Sequence, residues 1–151
     1  MEQHILKIDT PPEIATGPSD APGFVILKTR FKNRYALAFN EVIRAANRVN
    51  EAIGKIQAGD NTFEAKALEL AAEADQATEF VWETYAALVL DWNWIDDETG
   101  EPLPKPAGNV EVFKRQLYPE QTQWIRDRIQ TLQKYRGTEG NAMSGNGSTP
   151  G

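Results

Sequence analysis

The chain has 151 residues, no cysteine, one histidine and a formal net charge of −6 at neutral pH. That length accommodates one ordinary domain with a proper core. Without cysteine there are no disulfides, thiolate metal sites or cysteine nucleophiles, and the acidic balance weighs against general affinity for nucleic acid.

Four tryptophans, four tyrosines and six phenylalanines mark a folded chain, because disordered sequences are poor in aromatics. No apolar run approaches the roughly 20 residues that a membrane-spanning helix needs. The opening Met1–Lys7 lacks the basic start and apolar stretch of a signal peptide, and the lack of cysteine fits a reducing compartment. His4 has no second imidazole to join it in a metal cluster and reads as a solvated tail residue.

Residues 1–22 hold Pro11, Pro12, Pro18 and Pro22 among small and acidic residues, and are expected to form a flexible N-terminal arm. Within it, Ile5–Ile8 can add a short strand. From Val25 the pattern alternates. Val25, Leu27 and Phe31 fall on one side, and Lys28, Arg30, Lys32 and Arg34 on the other. This reads as a strand with a buried face and a basic face. The basic row is either a patch for phosphate or an acidic partner, or a solvated edge that discourages strand pairing.

From Tyr35 to Gln57 the period becomes helical. Phe39, Val42, Ala46, Val49, Ile53 and Ile56 recur at spacings of 3 and 4, a seam that packs on a neighbouring helix. Gly59 suits the left-handed position after the last turn. Asn61 is the expected N-cap of the next helix, with Glu64 completing a capping box. That helix continues the seam through Phe63, Ala67, Leu70, Ala74, Ala77, Val81 and Leu88, and its alanines allow the close approach of an antiparallel hairpin. A second stripe, Trp82, Tyr85, Val89 and Trp92, widens the apolar surface near its end. Between Asp60 and Glu101 lie twelve acidic residues and one basic residue, Lys66, whereas the flanking segments are basic. Such blocks suit either packing within one domain or association between protomers.

Trp92–Pro106 breaks the helical period. Asp97-Glu-Thr-Gly100 is a turn signal, and Pro102, Pro104 and Pro106 stiffen the exit, so a small hairpin or extended loop is expected. Asn109 caps a short helix over 110–117. Pro119 starts a last helix that runs to about Tyr135, buries Trp124 or Ile125 with Ile129 and Leu132, and stops at Gly137. Residues 138–151, rich in Gly, Ser and Asn, are expected to be disordered.

Candidate chemistry is thin. The stretch from Asp91 begins like a calcium loop, but Ile95 and Asp96 stand where an oxygen ligand and a glycine are required. Asp96, Asp97, Glu98 and Glu101 crowd one polar turn and read as solvated, not as a catalytic acid pair. No catalytic, cofactor or metal site is expected, and an enzyme is not. The best candidate surface is the aromatic group Trp82, Tyr85, Trp92 and Trp94, which either fills the core or anchors a partner.

The stretch Asp91-Trp-Asn-Trp-Ile-Asp-Asp-Glu-Thr-Gly-Glu-Pro-Leu-Pro104, on a long helix and before a final helical pair, resembles the tail assembly chaperones of long-tailed bacteriophages. The matching positions are Trp92, Asn93, Asp96, Asp97, Gly100, Pro102, Leu103 and Pro104, within a similarity that extends over residues 24–135. The resemblance implies a non-enzymatic protein of the bacterial host cytoplasm that holds the helical tape-measure protein soluble. It gives way as tail-tube subunits polymerise, and is absent from the mature virion. The expectations are therefore a mainly α fold with a small β element: an antiparallel helical hairpin plus C-terminal helices, with a short N-terminal strand, as one domain over 23–137. Partners are the tape measure, the tail-tube protein and further copies of the chain, with no membrane partner. The alternatives are a structural phage component, such as a small tail or head–tail connector subunit, and a nucleic-acid-binding regulator using Lys28–Arg34.

Overall fold

The computed structural model describes residues 4–19 and 21–143. The fold is mainly α with a small three-stranded antiparallel sheet, as the sequence patterning predicts. Strands β1 (Ile5–Thr10), β2 (Gly23–Lys28) and β3 (Val89–Trp92) lie in the order β1-β2-β3. Helices α1 (Asn33–Gln57), α2 (Glu64–Leu88) and α3 (Pro119–Met143) account for most of the rest, with a short 3-10 turn at Asn61–Phe63 and a π-helical turn at Val112–Gln116. The chain divides into two compact units. One holds the described residues up to Arg30 together with those from Tyr85 onward, and the other is Phe31–Thr84. One boundary between the units lies inside α2.

In the first unit, β2 alternates as the sequence dictates, with Val25 and Leu27 buried. It ends at Lys28, where its pairing with Ile5 of β1 ends, so the expected strand through Arg34 is too long. Within the N-terminal arm, the expected short strand at Ile5–Ile8 forms and extends to Thr10. Ile5–Thr10 pairs along its whole length with β2, and Thr10 and Ala15 are buried.

Strand β3 is a larger correction. Val89 and Trp92 continue the 3–4 spacing of α2, so periodicity places them on the helix. In the structure α2 gives way to β3 without a loop, and Leu27 pairs with Val89 and Val25 with Trp92. A regular strand would send residues 89 and 92 to opposite faces. The register shift between Ile26 and Leu27 lets both point into the core. Near the end of α2, Thr84 Oγ1 bonds the carbonyl of Phe80 (2.8 Å), and Gly108, at φ +69°, donates its N–H to the carbonyl of Ala86 (2.9 Å).

The hairpin after β3 forms as expected. Ile95 and Pro102 bridge, Gly100 takes φ +75°, and its N–H reaches the carbonyl of Asp96 at 2.7 Å. Asn109 caps the following turn through a bond from the N–H of Val112 (3.3 Å). On α3, Ile125 and Ile129 are buried, while Trp124 is half-buried. The helix runs past Gly137 to Met143. The part of the expected disordered tail from 144 to 151 lies outside the described residues.

The second unit is an antiparallel hairpin of α1 and most of α2. Tyr35 stacks on Phe80 (5.7 Å between centroids), Arg48 lies 3.8 Å from Glu73, and Lys55 sits over the ring of Phe63. Between the helices, Gly59 at φ +101° closes a Schellman motif, with Asp60 N–H on the carbonyl of Lys55 and Gly59 N–H on that of Ile56. The next cap is Asp60, not Asn61: its carboxylate accepts from the N–H and hydroxyl of Thr62. These bonds hold the Asp60 carboxyl below its ordinary pKa.

The seam of α1 also differs by one residue. Ala38, Ala45 and Ala52 are buried, flanked by the half-buried Tyr35, Val42, Val49 and Ile56, whereas Ala46 and Ile53 are exposed. Both rows have the same period, and size favours Ile53 over Ala52. A close helix pair reverses that preference, because the smaller side chain lets the backbones approach.

Candidate functional site

The aromatic motif comes first, because the sequence singles it out. Trp92 and Trp94 are buried and stacked on each other, with centroids 5.0 Å apart and planes 8° from parallel. Phe113 tilts against Trp92 (5.4 Å) and stacks on Tyr85 (5.6 Å), and Trp124 tilts against Trp94 (6.2 Å). Both indole N–H groups are used inside the protein. Trp92 Nε1 donates to the carbonyl of Pro104 and Trp94 Nε1 to Thr10 Oγ1, each at 3.0 Å. Burial raises the pKa of the Tyr85 hydroxyl, which accepts a bond from Arg126 Nε at 3.2 Å.

Asn93, between the tryptophans, binds backbone on both sides of its amide. Its Oδ1 accepts from the N–H of Phe24 (2.8 Å), and its Nδ2 donates to the carbonyl of Pro22 (3.0 Å). Ile95 N–H reaches the carbonyl of Thr16 (3.0 Å), and Leu103 N–H that of Trp94 (2.9 Å). Trp-Asn-Trp-Ile is therefore the hub that fastens the N-terminal segment, the proline-rich exit and α3 to the sheet. Tyr85, Trp92 and Trp94 are buried, the core alternative for this aromatic group. Trp82 belongs to the other unit and is half-buried.

The acidic turn is partly engaged as well. Asp96 Oδ1 accepts from the N–H of Glu98 (2.9 Å), and the Tyr118 hydroxyl donates to Asp97 Oδ1 (2.8 Å). That bond, with the neighbouring carboxylates, pushes the pKa of Tyr118 up to about 12. A cleft of about 160 Å³ lies beside it, lined by Glu13, Asp96, Asp97, Tyr118 and Glu120 among others. Gln121, buried in its lining, is bonded at both ends of its amide: Nε2 donates to the carbonyl of Ile14 (3.0 Å) and Oε1 accepts from the N–H of Tyr118 (2.9 Å). Among the described residues, no group of three or more His, Asp or Glu side chains is placed to hold a metal ion.

The basic row is divided among three segments of the chain. Lys28 ends β2, Arg30 lies in the connection after it, and Lys32 and Arg34 stand at the start of α1 in the other unit. The helical period that begins at Asn33 removes the alternation that would align them. Arg34 is turned onto its neighbour, with its guanidinium 4.7 Å from the ring centroid of Tyr35 and Nη2 bonded to the Tyr35 hydroxyl.

Exposed large hydrophobic side chains occur in both units: Ile5, Leu6 and Tyr118 in the first, and four residues on the hairpin. Leu68 is 75% exposed, Ile43 53%, Leu37 48% and Ile53 41%. On one flank of the α1–α2 seam, Ala52, Phe63 and Leu70 line an open groove of about 320 Å³ between Arg48, Glu51, Lys55, Lys66 and Glu73. The 100° step between helical residues sets Ile43 on the face of α1 turned away from the buried Ala38, Ala45 and Ala52, and Leu68 on the face of α2 turned away from the buried Leu70 and Val81. Ile43 and Leu68 lie outside both predicted seams. The signal for them in the sequence is a large aliphatic side chain standing alone among polar neighbours. No family model, curated protein or solved structure matches this chain.

Proposed function

We propose that the protein is a non-enzymatic assembly chaperone that holds a helical client soluble, acting as a phage tail assembly chaperone on the tape-measure protein. The observation that carries this reading is the exposure of the aliphatic Ile43, Ile53 and Leu68 on a two-helix hairpin, apolar surface of the kind a helical client covers. The motif that resembles the phage chaperones, Trp92 to Pro104, has a structural part in this reading: it builds the sheet-bearing unit, and the client lies on the hairpin. The protein acts in the bacterial host cytoplasm and leaves before the particle is complete.

The test is co-expression with the long helical protein encoded beside it, comparing wild type with Ile43→Ser/Ile53→Ser. Client that is soluble with wild type and pelleted with the double variant supports the proposal. Client indifferent to the protein, with the protein present at fixed copy number in finished particles, would assign it instead to the tail or the head–tail connector.

A further inference from the structure

Among the described residues, the sheet of the first unit has an open edge. The strand order β1-β2-β3 leaves one side of β1 unpaired, and no backbone bond from outside the sheet reaches Ile5, Lys7 or Asp9. The pairing with β2 decides which groups face outward. Thr29 donates its N–H to the carbonyl of His4 (2.8 Å), and the antiparallel register continues through Leu6–Leu27, Ile8–Val25 and Thr10–Gly23. In an antiparallel ladder the hydrogen-bonded pairs recur at every second residue, so Leu6, Ile8 and Thr10 turn their backbone groups to β2. The N–H and C=O groups of Ile5, Lys7 and Asp9 point the other way, and all three residues are exposed.

This edge lacks the devices that commonly close one. No proline or bulge interrupts Ile5–Thr10, whose register with β2 is continuous, and Ile5 and Leu6 are 44% and 42% exposed. Only its charges, Lys7 and Asp9, select among partner strands. They stand two residues apart and so share the outer face of the sheet with Phe24, over whose ring Lys7 Nζ lies at 4.4 Å.

We infer that β1 is a self-association edge, on which β1 of a second copy pairs antiparallel about a two-fold axis at Ile8. Lys7 of each copy then stands opposite Asp9 of the other, and each of these pairs exchanges two backbone hydrogen bonds. On the core-side face Ile8 meets Ile8, and the exposed Leu6 lies opposite Thr10 of the second copy. The charges fix this register. An axis at Lys7 sets lysine opposite lysine, and one at Asp9 sets aspartate opposite aspartate, both repulsive. An axis at Leu6 puts Lys7 opposite Ile5 and forms no ion pair. The run Lys7-Ile8-Asp9 is thus complementary to its own reverse, and an unrelated strand matches it only by carrying the same pattern. The pairing is short, so the dimer is weak and dissociates on dilution. It belongs to the sheet-bearing unit and is independent of the helix-binding reading, which uses the hairpin.

The experiment is sedimentation velocity of the full chain over a roughly hundredfold range of concentration. Wild type is expected to pass from monomer to dimer. Lys7→Glu and Asp9→Lys each set like charges opposite one another, so both should stay monomeric with unchanged circular dichroism. An equimolar mixture of the two should dimerise, because every facing pair is then opposite in sign. Lys7→Pro, which removes an outward N–H that β2 does not use, should also stay monomeric. The axis is read by disulfide formation in the cysteine-free chain, where Ile8→Cys should link into dimers roughly tenfold faster than Leu6→Cys. Wild type that stays monomeric throughout overturns the inference. So does a dimer that Lys7→Glu and Lys7→Pro leave intact, since it would lie on another surface. A monomeric mixture of the two charge variants, or faster linking from Leu6→Cys, overturns the ion-paired register and the inference with it. Client capture by the hairpin is untouched by any of these results.

Discussion

Trp94 offers the sharpest test of whether the tryptophan motif is core or interface. Its ring is fully buried between Trp92 and Trp124, and its N–H is bonded to the buried Thr10 hydroxyl. Trp94→Phe keeps an aromatic ring but removes roughly 40 Å² of apolar area, about 1 kcal/mol at 25 cal/mol per Å². It also removes one internal hydrogen bond, about 1 kcal/mol more. The sum is about 2 kcal/mol. With a urea m-value of roughly 1–2 kcal/mol/M, the midpoint of the unit's transition should fall by about 1–2 M. Trp94→Ala should cost about 3–5 kcal/mol, a large share of the stability of a small unit. The transition is read from near-ultraviolet circular dichroism, where the stacked Trp92–Trp94 pair gives a coupled signal. Combining Trp94→Phe with Thr10→Val should give a coupling of about 1 kcal/mol, because the two residues share one bond. Under conditions where Trp94→Phe is folded, client solubilisation should equal that of wild type. A Trp94→Phe midpoint unchanged from wild type together with lost client capture would refute the argument, since the ring would then be serving a partner.

Three further outcomes follow from the geometry. In α1, Ala45→Leu should destabilise by about 1–3 kcal/mol by overfilling the helix contact, while the neighbouring Ala46→Leu should leave the thermal midpoint nearly unchanged; the opposite order would restore the seam through Ala46. A Cβ at Gly17 would stand 2.8 Å from both Asn93 Nδ2 and the carbonyl of Pro22, whereas one at Gly54 meets nothing within 4 Å. Gly17→Ala is therefore expected to lower the midpoint, and Gly54→Ala to raise stability by about 0.5–1 kcal/mol, both by urea titration. Tyr118, held protonated by Asp97, has a folded pKa above its unfolded one. Its contribution is present below pH 10 and is lost as pH rises toward about 12. An absorbance titration should lose one late-ionising tyrosine in Tyr118→Phe, leaving the buried Tyr85, and Tyr118 should ionise at lower pH in Asp97→Asn.

Much of the fold was legible because local chemistry dictated it. Val25 and Leu27 alternate onto one face, Gly59 and Gly100 take the left-handed positions their turns need, Asn109 caps, and Pro119 starts α3. The errors share a cause: each depended on a partner distant in sequence. Val89–Trp92 keeps helical spacing, and only the free edge of β2 draws it into a strand. Ala45 outranks Ala46 as a core residue only because another helix backbone lies close. Residues Lys28, Arg30, Lys32 and Arg34 share a face only if the strand continues, and α1 begins first. The candidate surface was missed for a related reason. Trp92 and Trp94 bury their rings, and the exposed apolar side chains include the aliphatic Ile5, Leu6, Leu37, Ile43, Ile53 and Leu68.

The chain's lack of cysteine makes the central claim directly measurable. Single cysteines at Ile43, Ile53 and Leu68, and as controls at Glu98 and Thr131, can each carry a benzophenone and be irradiated during client co-expression. The account predicts covalent adducts with the client from the three hairpin positions and none from the controls. Adducts from Glu98 alone, beside the acidic turn, would contradict it and return the binding surface to the tryptophan-bearing unit.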